Sequence, residues 1–144
     1  MNVDCALLCD AATVREGLLH ILGGGVTRIS RPEFPAQLGV QVALRIVIHP
    51  TESGTQHSAR MVLQNEDGAT VGELGFEFAI DQQGLSLVPG ELISLPIAVP
   101  VQQLSLPRPG GYSFEILIDN NHQVSMPFFA VEEQAPADQP GGPS

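Results

Sequence analysis

Four histidines, two cysteines and a few grouped acids are the side chains of this 144-residue chain with chemistry to offer. His20, His49, His57 and His122 stand far apart. No His-x-His or His-Glu-x-x-His spacing gathers them around a metal or into an acid–base pair. They read as surface or strand-face histidines. The cysteines are Cys5 and Cys9. On a strand they share one face and stand ~13 Å apart at ~3.3 Å per residue. A disulfide needs Cα atoms within ~7 Å, so these two cannot bridge each other. They read as reduced thiols in a core strand, with no further ligands spaced to complete a zinc site. A Gly-x-Ser-x-Gly elbow is missing, which leaves a hydrolase nucleophile without a candidate.

The acids occur as Glu66-Asp67, Glu132-Glu133 and Glu73 with Glu77. Two carboxyls buried side by side can divide general acid and base roles. These fall in a turn, a tail and an alternating strand face, where water solvates them. Asp119-Asn120-Asn121 supplies oxygen ligands, but the rest of a calcium loop is absent and a hairpin turn explains it better. Gly23-Gly24-Gly25 lacks the lysine and the following helix of a phosphate cradle. Inside a strand pattern it marks a bulge or bend. The residues therefore imply no cofactor, no metal site and no catalytic residue.

Charge narrows the partners. The net charge is −10, and all six basic residues are arginines. Such a chain repels nucleic acid and anionic lipid at long range. Arg28 and Arg31, with Glu33 beside them, are the nearest approach to a basic patch and do not make a phosphate-tracking groove. No stretch reaches the ~20 apolar residues of a membrane helix. The opening Met1-Asn2-Val3-Asp4 has no signal-peptide character. The expected location is the cytoplasm.

The elements that must position these residues are strands. Val3 to Asp10 is a short apolar run, as for a strand buried on both faces. A second strand follows at Leu18–Leu22, then Val26–Ile29 beyond the glycines. Val40, Val42, Leu44, Ile46 and Ile48 alternate with Gln41, Ala43, Arg45, Val47 and His49, which predicts a strand with one wetter face. Asp67-Gly68 predicts a two-residue turn that pairs Met61 with Leu74, Ala59 with Phe76 and Val62 with Glu73. From Leu92 to Pro100, Pro96 and Pro100 mark an edge strand.

In the last hairpin Tyr112, Phe114, Ile116 and Ile118 alternate on one strand, and Val124, Met126, Phe128 and Ala130 on the next. Matching these faces requires an odd loop or a bulge. A three-residue loop Asp119-Asn120-Asn121, with Asn121 left-handed, satisfies it, and Asn120-Asn121-His122 is the near rival. At 43% hydrophobic and 15% charged residues, the chain suits two sheets sharing a core. The expectation is one all-β domain over residues 1–131, an antiparallel two-sheet β-sandwich of about seven to nine strands with little or no helix. Residues 132–144, rich in proline, glycine and acids, read as a disordered tail.

Several segments together resemble a known family. They are Val3, Ala6-Leu7-Leu8 and Asp10; Glu16-Gly17 before Ile21; Phe34-Pro35; Glu66-Asp67-Gly68; and Pro107-Arg108-Pro109-Gly110-Gly111-Tyr112-Ser113-Phe114. The chain is similar over most of residues 3–131 to a family of short bacterial proteins with an immunoglobulin-like or related sandwich fold. That family has no established activity, so the resemblance implies a fold and a bacterial origin and carries over no site. The Tyr112 stretch also resembles the tyrosine corner of sandwich domains. Phe114 stands where antibody domains have cysteine and the chain has no tryptophan, so Tyr112 reads first as an anchoring core residue.

The functional expectation is a non-enzymatic protein-binding or scaffolding module. The alternative is a small-ligand binder with a pocket between the sheets or at one end. With the even-numbered residues of the last hairpin inward, Leu117, Phe129 and Val131 become apolar groups on a wet face. They are the expected interaction patch, for a protein partner or for self-association.

Overall fold

The computed structural model describes residues 1–81 and 85–134. Its strands are β1 (Asn2–Arg15), β2 (Leu18–Gly24), β3 (Arg28–Arg31), β4 (Ala36–Gln37), β5 (Gln41–Ile48), β6 (His57–Asn65), β7 (Thr70–Phe78), β8 (Ile93–Val99), β9 (Ser105–Leu106), β10 (Gly110–Ile118) and β11 (Asn121–Glu132). One 3-10 turn, Pro50–Glu52, is the helical element among the described residues. Two sheets result, ordered β2-β1-β5-β8 and β3-β11-β10-β6-β7, with a small β4-β9 pair at one end. In the four-stranded sheet β1 and β2 both approach β8 across the strands between them, so the sheet curls.

Alternation decides which side chains are buried. Val42, Leu44, Ile46 and Ile48 of β5 meet Met61 and Leu63 of β6, Phe114 and Ile116 of β10, and Met126 and Phe128 of β11 in one core. Leu38 and Leu106, both fully buried, fill the end closed by β4 and β9. The aromatic centre is Phe128, which stacks on Tyr112 at 5.6 Å and tilts against Phe114 at 6.1 Å. Tyr112 does more than fill space. Its hydroxyl donates to the Arg108 carbonyl at 2.6 Å, which ties the loop before β10 to the core.

Four expectations are corrected. The described residues form eleven strands rather than about seven to nine, the excess being the two-residue pair β4 and β9. The sheets are not wholly antiparallel, because β3 runs parallel to β11, with Ile29 beside Ala130. Parallel neighbours need a long crossover, and the whole chain between Arg31 and Asn121 supplies it. The expected Asp67-Gly68 turn is longer. Asn65 N donates to the Ala69 carbonyl at 2.9 Å, so Glu66, Asp67 and Gly68 form the loop, with φ of 80° at Gly68. A register shift next to Leu63 then restores the expected pairs Met61–Leu74, Ala59–Phe76 and Val62–Glu73. The last hairpin errs the other way. Ile118 pairs with Asn121, so the turn is Asp119-Asn120 alone, with φ of 51° and 67°, and Asn121 already belongs to β11. A bulge beside Ile116 brings the two even-numbered sets back onto one face. At the C-terminal end β11 reaches Glu132, and Glu133 N donates to the Arg31 carbonyl at 2.8 Å. The expected tail beyond 134 lies outside the described residues.

Candidate functional site

β1 changes partners along its length. Residues 2–9 pair with β5, and residues 9–15 pair with β2. The outer half of the β1–β2 hairpin is thus a two-stranded ribbon. Its turn is Glu16-Gly17, with φ of 54° and 74°. Both central residues of this tight turn are left-handed, as its type requires, and glycine at the second adopts that conformation without steric cost. The ribbon folds back over the outer face of the four-stranded sheet, where Gly17 to Ile21 stand beside Cys5, Arg45 and Pro96. The groove between them has a volume of about 440 Å³ and is open to solvent. Cys9 and Ala43 point to this same outer face and are nonetheless fully buried.

The ribbon keeps large apolar side chains in water. Leu18 is 62% exposed and Leu22 is 72% exposed, with Val14 exposed across the hairpin. Reading the sequence for core strands missed them, because Leu18–Leu22 looks like any buried apolar run. The available signal was Glu16-Gly17, a two-residue turn that makes a hairpin of these segments, together with apolar residues at both parities of Leu18–Leu22.

The expected patch is divided. Phe129, 63% exposed, and the half-buried Val131 share the outer face of β11. Leu117 is half-buried at the opposite end, between His122 and Arg60. Phe129 pairs with Gly111, six residues before Leu117 on β10; the separation is ~20 Å at ~3.3 Å per residue. Phe129 also has local work, since a Cβ on Gly111 would lie 3.5 Å from its ring. Its ring covers a glycine in the neighbouring strand.

Two polar clusters gather the histidines and acids. On the outer face of β10 and β11, Glu115 accepts hydrogen bonds from the Ser113 hydroxyl, from the Ser125 hydroxyl at 2.6 Å and from His122 Nε2 at 2.8 Å. Burial pushes the Glu115 carboxyl up, but these three bonds outweigh it and hold it below the usual range. The trio is not a catalytic relay. His122 presents one nitrogen, Nε2, to both Glu115 and Ser125, whereas a Ser–His–acid relay uses one imidazole nitrogen for each partner.

The second cluster lies at the end of the fold where the β10–β11 turn meets the start of β6. His57 Nδ1 donates to Asp119 Oδ2 at 2.7 Å, and Nε2 donates to the Glu52 carbonyl at 3.1 Å. The Asp119 hydrogen bond leads in raising the His57 pKa, and the Glu52 carbonyl adds to it. Asp119 is lowered, first by the Ser58 backbone N–H and then by His57. These bonds pin the turn onto β6.

The remaining candidates have structural surroundings. Cys5 and Cys9 are free thiols, and burial raises the Cys9 pKa. Arg31 is not available to a phosphate, because its guanidinium donates to the carbonyls of Ser30, Gln37 and Leu38. Arg45 holds Asp4, and Arg60 holds Glu73. Among the described residues no group of three or more His, Cys, Asp or Glu is placed to hold a metal. No helix there is long and apolar enough to cross a membrane.

The class so defined is a small all-β domain of two sheets around one core, with a folded-back ribbon. The chain belongs to a family of unknown function, DUF6941, whose model matches residues 4–131. The match runs from within β1 to one residue short of the end of β11, so the ribbon and both sheets lie inside it. No curated protein matches the chain.

Proposed function

We propose that this chain is a non-enzymatic protein-binding module of immunoglobulin-like sandwich type, acting in the cytoplasm through its β1–β2 ribbon. One observation carries the reading: Leu18 and Leu22 remain exposed together on one face of a two-stranded ribbon, with Val14 exposed on its other face. Scattered apolar residues on a surface need no explanation, but a cluster on one element marks a contact site. The shared core of the two sheets and the Tyr112–Arg108 bond support the sandwich. Two free thiols suit a reducing compartment. The net charge of −10 favours a protein partner over nucleic acid or an anionic membrane.

Affinity capture from extracts of the source organism tests this, with the wild-type chain against Leu18→Lys/Leu22→Lys. Both positions are exposed, so the fold survives the change. Wild type retains proteins that the variant loses, at equal melting temperature. Identical captured sets would overturn the ribbon as the binding surface.

A further inference from the structure

We infer that the partner of the ribbon is a second copy of this chain, joined through an antiparallel β2–β2 ladder; the inference rests on the protein-binding reading above. It starts from the edges of the two sheets, which are β2, β8, β3 and β7. An open strand edge templates pairing unless proline, charge or shortness blunts it. β8 carries Pro96, β3 has four residues with an arginine at each end, and β7 carries Glu73 and Glu77. β2 reads Leu-Leu-His-Ile-Leu-Gly-Gly, with neither proline nor charge.

Register follows from the turn. A two-residue turn makes its flanking pair, Arg15 and Leu18, the hydrogen-bonded one. Pairs alternate from there, so Leu18, His20 and Leu22 bond inward to β1. Leu19 and Ile21 turn their N–H and C=O groups to the open edge. A two-fold ladder centred on His20 lets Leu19 exchange both bonds with Ile21 of the other copy, and the reverse. Leu18 then stands opposite the other Leu22, in the close-set pairs where side chains meet. These are the two ribbon side chains left most exposed, at 62% and 72%. Extended through β1, one row reads Val14, Leu19, then Ile21 and Ala12 of the other copy, all apolar. A ladder centred on Ile21 would instead set Leu18 against Gly24 and Leu19 against Gly23, leaving leucines opposite bare backbone. The contact is one short ladder between two seven-residue strands, a small interface, so association is weak and reversible.

Sedimentation of the full chain from 2 to 200 μM (about the range of such affinities) at pH 8 tests the inference. Wild type shows a monomer–dimer equilibrium, and Leu22→Lys weakens it at least tenfold with unchanged circular dichroism and melting. In a Cys5→Ser background, His20→Cys forms a disulfide-linked dimer under mild oxidation. The residues at the centre of the ladder have Cα atoms ~4.5 Å apart, within disulfide reach. Thr13→Cys, one strand further from the axis, forms none. A monomer throughout, undiminished association of Leu22→Lys, or cross-linking at residue 13 instead of 20 would overturn the ladder. A monomeric chain whose ribbon variant still loses captured proteins would sink the second copy alone and leave the protein-binding reading standing.

Discussion

His57 makes domain stability depend on pH, and the sign follows from its partners. Both ring nitrogens face groups that only accept: the Asp119 carboxylate and the Glu52 carbonyl. Only the imidazolium carries a proton on each nitrogen, so both bonds exist together only when the ring is charged. The ring side chain is 12% exposed and lies 5.6 Å from Phe78. The folded-state pKa is raised, with Asp119 the main cause. Folding therefore favours the protonated ring. That contribution is fully present below the unfolded histidine pKa, about 6.5, and is lost as pH rises through the folded value.

His57→Phe isolates the effect, because it keeps an aromatic ring beside Phe78 and removes both N–H donors. At pH 5.5 the variant loses a charge-assisted bond and a second bond. Asp119 is 44% exposed, so solvent screens the pair; the cost is about 1–2 kcal/mol. At pH 9 the neutral wild-type ring has already given up one bond, and the cost falls by about 1 kcal/mol, roughly 4 °C in Tm for this size of domain. Asp119, lowered by Ser58 and His57, stays ionised at both values and does not blur the comparison. Urea unfolding of both proteins at the two pH values measures the gap, and nitrogen NMR of the ring reports its protonation. A stability gap that is equal at both pH values, or wider at pH 9, would refute the two-acceptor argument.

Two further outcomes follow from burial. Phe128→Ala removes the fully buried centre of the aromatic cluster and costs about 3–5 kcal/mol, whereas Phe129→Asp, one residue on, loses only the cover its ring gives Gly111 and costs about 1 kcal/mol. Thermal unfolding of the pair checks this, and the reverse order would show that the inner face of β11 is misassigned. Of the two thiols, half-buried Cys5 reacts with a thiol reagent first, while fully buried Cys9, its pKa raised by desolvation, reacts only on unfolding. Titration before and after adding denaturant resolves the two steps, and equal rates in the native state would contradict the burial of Cys9.

Much of the fold was legible because a period of two is a steric necessity in a half-buried strand. The alternation of β5 and of the last hairpin identified their inner faces, down to Tyr112, Phe114, Ile116, Ile118, Met126, Phe128 and Ala130, all buried. Turn chemistry was a poorer guide. Asp67-Gly68 sits in a longer loop than its composition suggests, and Asp119-Asn120 makes a shorter one. In each case a bulge absorbs the difference and keeps apolar residues on the core side. A one-residue slip would turn a whole strand face to water, at ~1.5–3 kcal/mol for each large side chain, which far exceeds the cost of a bulge. The residue types in a turn bias its length, and the core has the final say.

The candidate site was less legible, because alternation gives the face of a residue and not its place along the sheet. Leu117, Phe129 and Val131 share a parity, yet pairing puts Leu117 at the far end of β10 from Gly111, the neighbour of Phe129. The ribbon was hidden for a related reason. Whether Leu18 and Leu22 are core or surface depends on β1 leaving β5 at Cys9, and on the chain then crossing to β11 through β3. The local signals, the Glu16-Gly17 turn and apolar residues at both parities of Leu18–Leu22, mark a hairpin but record neither event. An apolar strand paired on one side only, within a sheet whose other edge carries proline, keeps the adhesive character that sheet edges are usually built to avoid. In this fold the exposed leucines and the open backbone edge coincide on one strand, and that coincidence is why we propose β2, rather than Phe129, as the docking place.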